Sequence, residues 1–123
     1  MRRVVPLLIL LSLGFAPAPV PKPERIEGHW VQVKGPNVGV RLLVEPGRMT
    51  FTHPTSQVVY DLTLGTRARP ATYDIAYRGR KEPAFLGIYR LKGDTLITCN
   101  RLAHLGRPDG FIGTVGVYHR VKR

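Results

Sequence analysis

Phe85-Leu86-Gly87-Ile88-Tyr89-Arg90-Leu91-Lys92-Gly93-Asp94-Thr95-Leu96-Ile97-Thr98-Cys99-Asn100 is the stretch on which the fold turns. Two runs rich in β-branched and aromatic residues, 85–91 and 95–100, flank Lys92-Gly93-Asp94, a tight hairpin signal. The same period of two continues outward in both directions, and no helical period of 3.6 is sustained. Toward the N-terminus strands are expected at His29 to Lys34, Val38 to Glu45, Arg48 to His53, Gln57 to Leu64 and Thr72 to Tyr77. Pro46-Gly47 separates the second from the third, and a break from Gly65 to Pro70 separates the last two. Toward the C-terminus Gly113 to Val121 forms the final strand, with Val115, Val117, His119 and Val121 on one face.

About eight short strands joined by turns and modest loops predict an all-β fold, an antiparallel up-and-down meander. Left open, a meander exposes two edge strands, so the first is expected to pair with the last and close a small barrel. Eight strands enclose an interior that side chains fill or that holds one small ligand. With strands this short, a shallow or mostly filled cavity is expected.

Composition agrees with one such domain. The chain has 123 residues, 43% of them hydrophobic, with 13 Gly and 11 Pro. That is too apolar for a disordered basic tail and too punctuated for a helical bundle. One cysteine excludes an intramolecular disulfide, and no apolar run reaches the length of a membrane-spanning helix. Nineteen Lys and Arg against eight Asp and Glu give a formal charge of +11.

Residues 1–18 read as a signal peptide. Arg2 and Arg3 precede the apolar run Val4 to Phe15, and Ala16-Pro17-Ala18 offers small residues for cleavage. An uncleaved anchor is the alternative, and no cysteine near the junction offers a lipid attachment site. Prolines at 17, 19, 21 and 23 make residues 19–23 a stiff spacer, so the folded domain is expected over 24–123. The expected address is exported, periplasmic or secreted.

Glu27-Gly28-His29-Trp30 at the start of the first strand is similar to the Gly-x-Trp signature that opens lipocalin barrels. In those folds the Trp plugs one end of the barrel beneath a basic side chain. The stretch Gly87 to Leu96, followed by Cys99, Gly106-Arg107-Pro108 and Phe111, resembles a family of short exported lipocalin-like domains abundant in planctomycete bacteria. The basic ending Val121-Lys122-Arg123 matches that family too, while Thr66 to Arg80 is richer in arginine than its usual pattern. The resemblance spans residues 24–123. It implies fold and export, and it carries over no catalytic residue.

The residues themselves offer little catalytic machinery. Ser56 is the only serine after residue 18, and it sits outside any nucleophile elbow. Cys99 shares a strand face with Thr95 and Ile97; if that face is inward it is a small buried hydrophobe, otherwise a reactive or intermolecular thiol. The histidines at 29, 53, 104 and 119 lack metal-ligand spacing, so no metal or other cofactor is expected. His29 and His119 come together only if the first and last strands pair. The acidic residues fall mostly at turns or strand ends, as solvated punctuation. A non-enzymatic protein is expected.

Two binding readings remain. Nine aromatics follow the signal, and some must face the interior, packing against one another or walling a ligand site. In the leading reading a small apolar or amphipathic ligand sits inside the barrel, with Trp30 as floor and Phe85 and Tyr89 as walls. In the second, Arg67, Arg69, Arg78, Arg80 and Lys81 bind an anionic partner: polysaccharide, lipid headgroups, another polyanion or a protein. Export argues against genomic nucleic acid. A basic solvated surface without a partner explains the same arginines, and a monomer is expected.

Overall fold

The computed structural model describes residues 25–122. The signal and spacer expectations, residues 1–18 and 19–23, lie outside the described residues. Eight strands run in order: β1 (Gly28–Lys34), β2 (Arg41–Glu45), β3 (Arg48–Thr52), β4 (Gln57–Gly65), β5 (Ala71–Tyr77), β6 (Phe85–Lys92), β7 (Thr95–Leu102) and β8 (Val115–Arg120). Each pairs antiparallel with the next, and β8 pairs with β1, so the sheet closes into a small lipocalin-like barrel. One 3-10 turn, Ala103–Leu105, follows β7. Among the described residues no helix is long and apolar enough to cross a membrane.

The tight turns fall where the sequence places them. Lys92 pairs with Thr95, leaving Gly93-Asp94 as a two-residue turn in which Gly93 takes φ +61°. Glu45 pairs with Arg48 around Pro46-Gly47, where proline sets the first turn dihedral and Gly47 adopts φ +73°. Two strands start later than expected. Residues 38–40 are loop, because Gly39 turns to φ +94° and its N–H bonds back to Gln32 O. β8 starts at Val115, after Gly113 at φ +96°.

The first, third, fifth and seventh hairpin connections gather at one end, and the others at the opposite end with residues 25–27. Trp30 plugs this second end. It is fully buried, and its Nε1–H donates to Ile26 O at 2.8 Å. The Arg120 guanidinium lies 4.3 Å from the centroid of the indole ring. Arg120 also donates to Glu27 O, Arg25 O and Asp94 Oδ1, so one side chain ties the chain entry, the β6–β7 turn and β8 together. Lys122 and Arg120 together hold the Asp94 carboxyl below its usual range. Leu42, Val44, Met49, Leu62 and Leu96 pack with Trp30 above this floor of chain entry and turn.

The segment between β7 and β8 folds back over the outside of the barrel. Arg107 pins it, donating to Asp74 Oδ1 at 2.6 Å and Gly87 O at 2.9 Å, and Phe111 lies 4.9 Å from the Arg90 guanidinium. Beneath it Cys99 is 1% exposed, with its thiol donating to Ile112 O. Cys99 is therefore buried on the outer face, its neighbours Leu96, Thr98 and Asn100 taking the inner and rim positions. A screened ion pair whose side chains are about one-third exposed contributes about 1 kcal/mol. Arg107→Ala is accordingly expected to speed alkylation of Cys99 by iodoacetamide in the native protein about fivefold, through easier opening of the flap. An unchanged rate would show that Pro108 and Phe111 hold the flap without the clamp.

Candidate functional site

Counting along the strands from Trp30 fixes which side chains look inward. Trp30 lies opposite Leu42 and Arg120, Leu42 opposite Phe51, and Tyr118 opposite Gln32 and Leu96. On β6 the inward set is Phe85, Gly87, Tyr89 and Leu91, and on β7 it includes Leu96, Thr98 and Asn100. Around Trp30, Val44 and Leu96 the interior is packed. Above them, toward the end away from Trp30, a cavity of about 200 Å³ opens.

One wall is apolar, made by Leu42, Met49, Phe51, Val58, Ile75 and Phe85. Tyr60 stands within it, its ring 5.9 Å from Phe51, 6.2 Å from Phe85 and 5.4 Å from Tyr77 at the rim. The facing wall is polar and belongs to β1, β7 and β8, with Tyr73 reaching across from β5. Gln32 Nε2 donates to the Tyr118 hydroxyl at 2.9 Å, and Gln32 Oε1 accepts from Asn37 N–H at 2.6 Å. Asn100 Nδ2 donates to the Tyr73 hydroxyl at 2.7 Å, and Thr98 hydrogen-bonds both tyrosines. Each side-chain amide uses one N–H on a tyrosine and retains a second.

Two glycines make room for this wall. A Cβ on Gly116 would stand 3.2 Å from Thr98 Oγ1 and 3.3 Å from Gln32 Nε2, and one on Gly87 would overlap the Tyr73 ring. Burial raises the hydroxyl pKa of Tyr73, Tyr118 and Tyr60 above the ordinary tyrosine value, so all three stay protonated donors at neutral pH. Among the described residues no Asp, Glu, Lys or Arg lines the cavity, and His53 at the mouth is the one imidazole.

The expected floor residue, Trp30, and the two expected wall residues, Phe85 and Tyr89, part company. Phe85 lines the cavity; Trp30 is sealed beneath it and touches neither opening. Tyr89 points inward near the floor, its ring centroid 6.3 Å from that of Tyr73, and borders a separate cleft with Arg25, Glu27 and Arg69. Burial and the Glu27 carboxylate raise its pKa.

The five clustered cations do not form one patch. Arg67 and Arg69 sit in the β4–β5 connection at the Trp30 end, whereas Arg78, Arg80 and Lys81 follow β5 at the cavity end. Seven residues of strand hold the groups roughly 20 Å apart. Arg69 is further occupied by the carbonyls of Thr66 and Ala68. β1 does pair with β8, but His119 lies opposite Val31 rather than His29. Among the described residues no three His, Cys, Asp or Glu side chains converge on a metal position.

Gln32, Thr98 and Asn100 were invisible as site residues in one dimension, although Gln32 shares the parity of Trp30 and was reachable from it. Comparison with protein-family models, with curated proteins and with solved structures finds no match to this chain.

Proposed function

We propose that the barrel binds a small, uncharged, amphipathic molecule and does no chemistry on it. The observation that carries this reading is the two-sided cavity, apolar along β2 to β6 and hydrogen-bonding along β1, β7 and β8. A cavity of about 150 Å³ accommodates benzene, so this one suits a ligand of roughly ten non-hydrogen atoms. A ring or short branched chain would lie on Phe51, Val58 and Phe85, and a hydroxyl or carbonyl would meet Gln32, Tyr118 and Asn100. A charged ligand would enter without a counter-ion and lose its hydration, which disfavours it. We also take the protein to be exported, on the pattern of residues 1–18, and kin to the lipocalin-like domains it resembles.

Native mass spectrometry of protein purified from exported material tests the reading first. A discrete adduct that persists in high salt and leaves on denaturation supports it. The direct probe is p-cresol, titrated while the side-chain amide NMR signals of Gln32 and Asn100 are followed. Val58→Phe, at the half-buried mouth, is expected to weaken cresol binding at least tenfold by filling the apolar wall, with little change in thermal stability. Unaltered cresol affinity in that variant, or no shift of either amide in the parent, would overturn the assignment.

A further inference from the structure

Exposed apolar side chains gather at the mouth of the cavity. Six large ones are exposed among the described residues, and four of these, Val38, Tyr77, Leu102 and Leu105, lie at the cavity end. Val38 is 67% exposed in the β1–β2 loop, and Leu105 is 56% exposed in the 3-10 turn after β7. Tyr77 and Leu102 end their strands at the same rim. Directly after Tyr77 come Arg78, Arg80 and Lys81, all exposed, against the single acid Glu82 in that connection.

We propose that this end docks on a lipid bilayer containing anionic phospholipid. Val38, Tyr77, Leu102 and Leu105 enter the headgroup boundary, and Arg78, Arg80 and Lys81 meet the phosphates. The inference does not depend on what the cavity holds. The combination of apolar and cationic groups at one end matches what an anionic interface selects, with long cationic stems lying along apolar surface while their heads stay at headgroup level. The four come from three places at this end: Val38 from the β1–β2 loop, Tyr77 from the end of β5, and Leu102 with Leu105 from the end of β7 and the turn after it. A partner protein would need a continuous complementary face there, whereas a fluid interface accommodates isolated protrusions. Among the described residues at the opposite end, Arg67 and Arg69 have no comparable set of exposed large apolar residues beside them.

The test uses residues 19–123, because the apolar stretch 4–15 would partition by itself and every strand pair lies within 28–120. Sedimentation is compared between vesicles of phosphatidylcholine alone and of phosphatidylcholine mixed with phosphatidylglycerol. Binding to the mixed vesicles that weakens with added salt is expected. Arg78→Ala with Arg80→Ala should weaken it about thirtyfold, at about 1 kcal/mol for each charge near the surface. Val38→Asp with Leu105→Asp, both at exposed positions, should do the same while leaving the circular dichroism spectrum unchanged. Equal binding to neutral vesicles overturns the proposal, and so does a failure to bind mixed ones, even if a protein is later found on this rim. Binding lost on Arg67→Ala with Arg69→Ala but untouched by the mouth substitutions also overturns it.

Discussion

Trp30→Ala lowers the stability of the barrel by about 3–5 kcal/mol, the range for removing a fully buried large aromatic from a core that cannot collapse around the gap. Collapse is blocked here by construction. The indole is held at its Nε1–H by Ile26 O and covered on one face by Arg120, whose other donors reach Glu27, Arg25 and Asp94. These partners belong to the chain entry, β8 and a hairpin turn, and following a shrinking side chain would pull apart the hydrogen bonds through which Arg120 joins them. Single domains retain about 5–15 kcal/mol in all, so the variant is expected near its unfolding threshold. Urea unfolding followed by far-ultraviolet circular dichroism measures it, the protein's only tryptophan having been removed. Arg120→Ala should cost less, because the indole stays buried and only the stacking and bridging contacts go. A loss below about 1 kcal/mol for Trp30→Ala would mean that the barrel closes without its plug.

How far such features show in one dimension depends on how local their cause is. Lys92-Gly93-Asp94 and Pro46-Gly47 were legible because a two-residue turn is dictated by the residues inside it. Trp30 was legible only through the resemblance of Gly28-His29-Trp30 to the Gly-x-Trp opening of lipocalin barrels. Which face of 95–100 looks inward was not. Ile97 and Cys99 look like the core face and Thr98 and Asn100 like the wet one, yet the flap of residues 106–114 buries Cys99 from outside. The polar side chains instead line the cavity, each satisfied by a partner on another strand: Thr98 by Tyr73 and Tyr118, Asn100 by Tyr73. The arginine cluster failed differently. Fifteen residues of sequence hold five cations, but β5 runs the height of the barrel between them, and proximity along the chain became opposition in space.

Gly87→Ala is the substitution that joins the fold to the cavity. Gly87 lies opposite Tyr73 in the β5–β6 ladder, and the tyrosine ring rests on its Cα; a Cβ there would stand 2.3 Å from Tyr73 Cε1 and 2.4 Å from Cζ. The strain is steric rather than conformational. Tyr73 cannot yield cheaply, because it is 2% exposed and its hydroxyl is bonded to Asn100 and Thr98. Overpacking costs about 1–3 kcal/mol, and a buried hydroxyl pulled from its partner adds about 1–3 more, so a loss of about 2–6 kcal/mol is expected. The cause is separable by a double-mutant cycle. In a Tyr73→Ala background the methyl group meets empty space, and Gly87→Ala should then cost less than about 1 kcal/mol. If the two losses simply add, the contact with the ring is not what excludes a side chain at position 87. The same displacement would carry Asn100 and Thr98 out of register with Gln32 and Tyr118. Gly87→Ala protein that still folds should therefore bind p-cresol more weakly, although residue 87 lies beneath a tyrosine and lines no part of the cavity.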